Sequence, residues 1–395
     1  MNINRQIGSI YLIVGTEIGA GILALPILIV HIGILKGTII LLFAWAIMLY
    51  TALLWCEVNC AVEGDASFGT LTQKFIGKYA NIIFSFIFWL TLSSIAMAYI
   101  SAAGSIISHI FAIKEQYASI IFVLIFGICV VIGTIVVDYL NRVLLTIKII
   151  AFIFAIMLML SVVSPLNLKT SGPFISIISC LPAIMCVFIL HNIIPTIRTY
   201  LYYDKKTLQR CIIIGSIIPL ILYLLWVISL IGDIPATGSH SFSVIIAEGK
   251  SANVGELLNI LSYNTSNKTI ISTINFVASI SVTTSFLGTS ISLFHFLKDI
   301  SKNWKNKIIS KYVFSVILAF IIPLLIVIID PNIFITALSY AGAGAVILFV
   351  IFPIIIVKNI MRKTDRFHSS FMFNKILLNT ICIIGIGIVL IEFIY

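Results

Sequence analysis

Apolar stretches long enough to cross a bilayer follow one another along the whole chain, separated by shorter polar segments. A transmembrane helix needs about 20 predominantly apolar residues, and this length is reached eleven times. We number the predicted spans 1 to 11 in chain order: 7–35, 38–62, 79–112, 117–137, 143–163, 175–201, 211–231, 270–297, 312–329, 333–357 and 376–395. The pattern predicts an all-α integral membrane protein that forms one polytopic domain over residues 1–395.

The composition excludes a soluble protein. Apolar residues make up 61% of the 395 residues and charged residues only 10%, against roughly 45–50% and about 25% in soluble domains. The net charge of +10 does not indicate nucleic-acid binding, because there is no soluble domain to carry a basic face. The seven cysteines lie in or beside apolar spans without metal-ligand spacing, so we expect neither a metal site nor a disulfide.

The positions of the basic residues predict the orientation, because cytoplasmic loops carry an excess of Lys and Arg. With the N-terminus in the cytoplasm, 17 of the 24 basic residues fall in cytoplasmic loops and 5 in outer loops, while Lys148 and Arg198 fall within spans. An odd number of spans then places the C-terminus outside. We expect a multi-pass protein of the plasma membrane, which is the inner membrane in a Gram-negative bacterium.

Two loops, 63–78 and 232–269, are longer than the others and contain amphipathic segments at 68–75 and 254–261. They follow spans 2 and 7, five spans apart, which is the spacing that two inverted five-helix repeats give. The sequence therefore predicts one repeat over 1–163 and a second over 175–357, with span 11 at 376–395 as an addition.

Span 1 is interrupted by three glycines and an acid in the segment Gly15-Thr16-Glu17-Ile18-Gly19-Ala20-Gly21. Glycine in a helix costs about 1 kcal/mol relative to alanine, and unpaired backbone in lipid costs several kcal/mol per group. A break here must therefore face protein or a cavity. The glycine spacing alone also fits close helix packing, but an intramembrane acid is a functional candidate by default.

Span 6 contains a comparable interruption before Pro195, with Phe188, His191 and Asn192. Aligning Pro195 with Pro26 of span 1 sets residues 188–195 against residues 19–26. Discontinuous helices at matching places in two halves indicate a transporter binding site. Their free amides and helix dipoles suit a carboxylate, and their open carbonyls suit an ammonium group, so an amino acid would satisfy both.

These motifs, with Glu57-Val58-Asn59 in span 2, Thr284-Ser285-Phe286-Leu287-Gly288 in span 8 and the segment 331–342 in span 10, resemble the hydroxy and aromatic amino acid permease family. That family belongs to the amino acid–polyamine–organocation superfamily, and the chain is most similar to its tyrosine and tryptophan branch. The resemblance covers nearly the whole chain. It implies a leucine-transporter-type fold of inverted five-helix repeats with discontinuous helices 1 and 6, and proton-driven uptake of an amino acid.

The resemblance implies an aromatic amino acid as substrate and the lipid bilayer as surroundings. It implies a proton gradient as the driving force and no cofactor. The composition argues against a nucleic-acid partner, and no obligatory protein partner is evident from the sequence. The sequence departs from the family pattern at Ile189, Asn192 and Glu17. A permease for serine, threonine or another neutral amino acid, a sodium-coupled variant and a sensor of the same fold remain alternatives.

The candidate residues fall into two groups. For substrate binding we predict Gly15, Thr16, Glu17, Gly19, Ala20, Gly21, Phe188, His191, Asn192, Tyr99 and Tyr340. For proton coupling we predict Lys148, Glu17, Glu57, Thr284 and Ser285. Ordinary packing is the alternative for His191 and the three aromatic residues, snorkelling to the headgroups for Lys148, and structural hydrogen bonding for Glu57.

In related proton-coupled transporters a span 5 lysine takes the place of a sodium ion between spans 1 and 8. The resemblance thus implies that Lys148 lies beside the opened span 1 and close to Thr284 or Ser285. A lysine removed from water can exchange a proton. Glu17 could hold the substrate ammonium, pair with Lys148 or carry the coupled proton.

Other classes of membrane protein find little support in the sequence. The chain contains neither H-E-x-x-H nor G-x-S-x-G, the motifs of two common classes of hydrolase. It also lacks the repeated filter sequences of a channel and the P-loop of an ATP-driven pump. The sequence therefore favours a secondary transporter over an enzyme.

Overall fold

The computed structural model describes residues 3–19, 21–62, 64, 67–169, 173–265, 267–301, 308–363 and 371–394, and nearly all of them lie in helices. The predicted substrate residue Ala20 lies outside the described residues. So do four basic residues that the sequence places in cytoplasmic loops: Lys302, Lys305, Lys307 and Arg366.

The helices follow the predicted order. Their bounds are α1 Ile3–Glu17, α2 Gly21–Ile32, α3 Ile34–Cys60, α4 Phe68–Phe75, α5 Lys78–Phe111, α6 Glu115–Ile132, α7 Thr134–Leu160, α8 Phe174–Val187, α9 Ile194–Tyr200, α10 Lys205–Asp233, α11 Phe242–Glu248, α12 Val254–Asn264, α13 Lys268–Ser301, α14 Ile308–Val316, α15 Ile322–Ile329, α16 Phe334–Val346, α17 Phe352–Lys363 and α18 Lys375–Ile394. Two π-helical segments, Ile317–Ile321 and Ile347–Ile351, join α14 to α15 and α16 to α17.

Within the described residues, ten helical segments are long and apolar enough to cross a membrane, and the bent pair of α1 and α2 makes an eleventh span. This count confirms the prediction. Spans 2, 3, 4, 5, 7, 8 and 11 are α3, α5, α6, α7, α10, α13 and α18, while spans 1, 6, 9 and 10 each contain two α-helices. The amphipathic loop segments are also helical, as α4 and α12.

The boundary between spans 4 and 5 differs from the prediction. The sequence predicts span 4 as far as residue 137, but α6 ends at Ile132 and α7 begins at Thr134. Gly133 between them has φ 147° and ψ 168°, a conformation that glycine adopts far more readily than other residues. Hydropathy does not reveal this turn because the residues on both sides of it are apolar.

Span 1 is broken where the sequence predicts. Helix α1 ends at Glu17, α2 begins at Gly21, and the two helices meet at an angle of 52°. Pro26 lies within α2 and has no amide hydrogen to donate to the carbonyl four residues earlier, that of Ile22. The break and Pro26 therefore both leave backbone groups that neighbouring spans must satisfy.

Span 6 is also discontinuous. Helix α8 ends at Val187, a 3₁₀ turn covers His191–Ile193, and α9 begins at Ile194. Pro195 lies in the first turn of α9, where a missing amide hydrogen has no helical partner to lose. The discontinuous form of both spans, which the resemblance implies, is confirmed.

The helices around the two breaks pack closely because small residues lie at their crossings. A Cβ atom added at Gly342 of α16 would collide with the backbone of Pro182 in α8, and one added at Gly344 would collide with Thr91 of α5. Helix α13 packs against α5 and α7, and α10 packs against α1 and α3. Spans 3, 5, 7 and 8 thereby bring side chains to the break in span 1.

Candidate functional site

Lys148 of α7 is bound to the break in span 1. Its side chain is 1% exposed, and its Nζ donates hydrogen bonds to the carbonyl oxygen of Ile18 at 2.6 Å, to that of Gly15 at 3.3 Å and to Oγ1 of Thr284 at 3.2 Å. The three hydrogens of an ammonium group match these three acceptors. Lys148 therefore does not snorkel to the headgroups but joins spans 1, 5 and 8, the place that the resemblance implies.

Two aromatic residues of α10 satisfy other backbone groups at the break. The Tyr223 hydroxyl donates to the carbonyl of Glu17 at 2.6 Å and accepts from the amide of Gly19 at 3.4 Å. The Trp226 indole Nε1 donates to the carbonyl of Ile22 at 2.5 Å, which is the group left without a helical donor by Pro26. Span 7 thus holds the broken span 1 through Tyr223 and Trp226, as spans 5 and 8 do through Lys148 and Thr284.

The sequence-based prediction did not include Tyr223 or Trp226. The sequence does contain a signal for them. Tyrosine and tryptophan in membrane proteins are enriched at the interfaces with water, so their presence inside a span is unusual. Tyr223 and Trp226 instead lie inside α10, before its end at Asp233, and both side chains are at most 1% exposed. A buried Tyr or Trp usually has a hydrogen-bond partner for its polar atom, so two of them in one span indicate exposed backbone on a neighbour.

Glu17, the last residue of α1, is 3% exposed. Within the described part of the chain, neither oxygen of its carboxyl group has a hydrogen-bond partner. The pairing with Lys148 that the sequence left open is not observed, since Lys148 Nζ contacts three other acceptors. A buried carboxylate without a partner is costly, so this group suits a bound ammonium or a proton.

Three hydroxyl groups surround Gly19, which lies between α1 and α2. A Cβ atom added at Gly19 would lie 2.8 Å from Ser285 Oγ and 3.0 Å from Tyr99 Oη, and Tyr223 accepts its amide hydrogen. The positive end of α2 and hydroxyls from spans 3, 7 and 8 thus lie within a few ångströms of one another. This cluster, Gly19 with Tyr99, Tyr223 and Ser285, has the chemistry of a carboxylate site, and we refer to it as the hydroxyl cluster.

The span 6 residues point in different directions. The ring of Phe188 is fully buried and lies edge-on to Tyr223 with 6.1 Å between centroids. His191 is also fully buried, with Nε2 3.0 Å from Thr51 Oγ1 and its ring stacked on Phe349 at 4.9 Å. Phe188 therefore lies next to the hydroxyl cluster, whereas His191 anchors the break to spans 2 and 10.

The remaining predicted residues are less tightly grouped. Thr16 is partly exposed and its hydroxyl donates to the Leu12 carbonyl at 2.8 Å. A Cβ atom added at Gly15 would lie 2.5 Å from Leu145 of span 5, and one at Gly21 would lie 2.5 Å from Val187 of span 6. These two glycines therefore allow close helix approach, which is the packing reading of the motif.

Within the described residues, Glu57, Asn192 and Tyr340 make no hydrogen bond to the break in span 1. Glu57 accepts hydrogen bonds from Lys205 Nζ at 2.7 Å and Gln209 Nε2 at 2.8 Å, which link the end of α3 to the start of α10. These contacts favour the structural reading of Glu57 over a proton relay. Asn192 is exposed and the Tyr340 side chain is 49% exposed.

Comparison with known proteins places the chain in a family. The tryptophan/tyrosine permease family matches residues 2–392. The chain belongs to this family. Among its relatives, this permease is 32% identical over 370 residues to tyrosine-specific transport system 1 of Haemophilus influenzae, covering 93% of this chain and 90% of the relative. It is 27% identical to the tryptophan-specific transport protein of Shigella flexneri, with 96% and 93% covered.

Another relative of the permease is named for a different substrate. The glutamine transporter 2 of Aliivibrio fischeri is 28% identical over 375 residues, covering 93% of this chain and 92% of the relative. Among solved structures, MhsT in complex with L-phenylalanine covers 98% of both chains with a TM-score of 0.63 and 12% identity. This likeness shows a leucine-transporter-type fold and confirms the predicted fold class. The family consists of transporters and not of enzymes.

Proposed function

We propose that this permease imports an amino acid by proton symport, with an aromatic amino acid as the first candidate. The observation that carries the proposal is the position of Lys148, whose Nζ links the broken span 1 to span 8. A tethered cation at this junction can connect the proton supply to the movement of span 1. The two relatives whose names specify tyrosine and tryptophan support the aromatic substrate.

The hydroxyl cluster is the proposed site of the substrate carboxylate. The first amides of α2 have no helical acceptors, and the positive end of the helix favours an anion. Tyr99 Oη and Ser285 Oγ lie close enough to the Gly19 backbone to bind the same group. The Phe188 ring beside Tyr223 supplies an aromatic wall next to this position.

Glu17 is the proposed partner of the substrate ammonium, and a proton neutralises it when no substrate is bound. Its two carboxyl oxygens are buried without a partner in the described structure. Binding of an ammonium group or of a proton would each remove the cost of an isolated buried charge. Ammonium binding by Glu17 and carboxylate binding by the hydroxyl cluster would hold the two charged groups of one amino acid at the same break.

Lys148 would couple proton transfer to the movement of span 1, because its number of N–H donors changes when it loses a proton. The ammonium form can donate to Gly15, Ile18 and Thr284 at once, whereas the neutral amine has only two hydrogens. Loss of the proton therefore removes at least one link between span 1 and spans 5 and 8. We propose that this loss frees spans 1, 2, 6 and 7 to rock against spans 3, 4, 8 and 9.

The packing supports a state that is closed on the predicted outer side and accessible from the cytoplasm. On the outer half, α16 and α8 meet closely at Gly342 and Pro182. On the predicted cytoplasmic half, Thr16, Asn192 and Ser292 are not buried within the protein, which is compatible with an opening on that side. This assignment follows the proposed orientation, with the N-terminus in the cytoplasm and the C-terminus outside.

A second substrate class has support of its own. The Aliivibrio fischeri relative is named a glutamine transporter. Its match extends over about as much of the chain as the matches of the tyrosine and tryptophan relatives do. A neutral amino acid with a polar side chain therefore stays as the second candidate. The proposed carboxylate and ammonium contacts are the same for both classes, so the difference would come from the side-chain pocket.

Uptake into proteoliposomes tests the proposal. We expect labelled tyrosine or tryptophan to accumulate with an inward proton gradient in sodium-free buffer, and an uncoupler to abolish the accumulation. Lys148→Ala and Glu17→Gln should each prevent accumulation. Lys358→Ala, which removes a partly exposed lysine bound to Asn379, should not. Accumulation that ignores the uncoupler contradicts proton coupling, and a competition panel of the twenty amino acids decides between the substrate classes.

A further inference from the structure

The hydroxyl group of Tyr223 makes two hydrogen bonds of unequal strength at the break in span 1. It donates to the Glu17 carbonyl at 2.6 Å and accepts from the Gly19 amide at 3.4 Å. A hydroxyl has one hydrogen, so donation to Glu17 leaves only oxygen lone pairs for Gly19. The first distance is short for an O–H···O bond and the second is long for an N–H···O bond. The Gly19 amide is therefore held weakly.

The same amide lies where the proposed carboxylate would bind. Gly19 lies two residues before the start of α2, and the hydroxyls of Ser285 and Tyr99 lie next to its backbone. The oxygen of Tyr223 thus occupies an acceptor position that a carboxylate oxygen could take. A charged carboxylate accepts a hydrogen bond about twice as strongly as a neutral hydroxyl does. The carboxylate of a bound substrate can therefore displace the Tyr223 oxygen from the Gly19 amide.

We propose that Tyr223 is a positioning residue that substitutes for the substrate carboxylate at the Gly19 amide and yields the amide when substrate binds. This inference rests on the proposed function, in which the carboxylate lies in the hydroxyl cluster. The hydrogen bond from the Tyr223 hydroxyl to the backbone carbonyl of Glu17 is unaffected by this exchange, so the Tyr223 side chain stays in place. When the substrate leaves, the hydroxyl takes the amide back, and no buried N–H group is left unpaired.

Removal of the hydroxyl would then affect the empty site more than the occupied site. In the Tyr223→Phe variant, the Gly19 amide has no Tyr223 oxygen to bind in the absence of substrate. Substrate binding restores a partner, so the variant should bind substrate more tightly and release it more slowly. The loss of one neutral hydrogen bond corresponds to roughly a 2- to 10-fold change in Kd. A residue that only supports the fold would weaken binding instead.

The experiment compares Tyr223→Phe with Tyr50→Phe in purified, folded protein. Tyr50 also donates a hydroxyl to a backbone carbonyl, that of Met372 at 2.7 Å, but it lies outside the hydroxyl cluster. We expect the Kd for labelled tyrosine to fall roughly 2- to 10-fold in Tyr223→Phe, with a lower maximal transport rate. Tyramine, which lacks the carboxylate, should compete equally well in Tyr223→Phe and in wild-type protein. Tyr50→Phe should show the wild-type Kd for tyrosine.

A second variant covers the case in which Tyr223→Phe does not fold. Incorporation of 3,5-difluorotyrosine at position 223 keeps the ring and the donor but weakens the oxygen as an acceptor, so it should tighten tyrosine binding to a smaller extent. An unchanged or higher Kd in whichever variant folds overturns the inference. If wild-type protein binds tyrosine and tryptophan but the variants show no tightening, the proposed function survives; if wild-type protein binds no amino acid, the proposed function itself fails.

Discussion

The substitution Gly19→Ala tests the hydroxyl cluster most directly, because it adds one carbon atom at its centre. The new Cβ would lie 2.8 Å from Ser285 Oγ and 3.0 Å from Tyr99 Oη, whereas ordinary contact begins at 3.4 Å. Ser285 must therefore retreat by about 0.6 Å, and Tyr99 by a smaller distance. Both hydroxyls then lie out of place for the substrate carboxylate.

The size of the effect follows from the strength of one hydrogen bond to a charged group. Such a bond contributes about 1.5–3 kcal/mol, and every 1.4 kcal/mol changes affinity tenfold. If Gly19→Ala removes one of these bonds, the Kd should rise roughly 10- to 100-fold. Equilibrium binding of the amino acid that wild-type protein prefers measures this change in detergent-purified protein.

Two further variants separate a specific effect from general damage. Gly387→Ala in α18 adds a Cβ that has no neighbour within 4 Å, so its Kd should equal that of wild-type protein. The double variant Gly19→Ala, Ser285→Ala removes the nearest clashing atom and should bind better than the sum of the single effects predicts. A wild-type Kd for Gly19→Ala, or strict additivity in the double variant, would refute the steric reasoning.

Three other substitutions test separate parts of the fold. Trp226→Phe leaves the Ile22 carbonyl without a donor, so the free energy of unfolding should fall by about 1–3 kcal/mol, seen as a lower Tm. Glu57→Gln should retain gradient-driven accumulation with a small loss of stability, because Glu57 binds Lys205 and Gln209; loss of accumulation in folded protein would restore the proton-relay reading. Gly133→Ala should cost about 1–3 kcal/mol, because φ at this position is 147°, and a wild-type Tm would contradict this.

The sequence was sufficient for the fold because its signals are strong and local. Runs of about 20 apolar residues predict spans directly, and the glycines and acid of span 1 predict its break. The division at Gly133 was misplaced because the chain stays apolar through the turn, so hydropathy carries no information there. Lys148 could be placed beside span 1 only through the resemblance, because no local pattern relates residue 148 to residues 15 and 18.

The candidate site was harder to predict because its geometry depends on contacts between distant spans. Tyr223 and Trp226 are about 204–206 residues from their partners in span 1. His191 and Glu57 are polar residues in apolar spans, which made them candidates, yet their partners are Thr51 in one case and Lys205 with Gln209 in the other. A sequence shows which residues are unusual for lipid, but not which neighbour each one meets.

The lengths of α5 and α13 suggest that the host membrane influences transport. Each helix has 34 residues and is about 51 Å long at 1.5 Å per residue, compared with a hydrocarbon core of about 30 Å. Part of such an excess is accommodated by tilt, which varies with bilayer thickness. Tyr99 and Ser285 lie on these two helices, so a change in acyl-chain length should move their hydroxyls relative to span 1. Substrate affinity in liposomes should therefore depend on the lipid as well as on the protein.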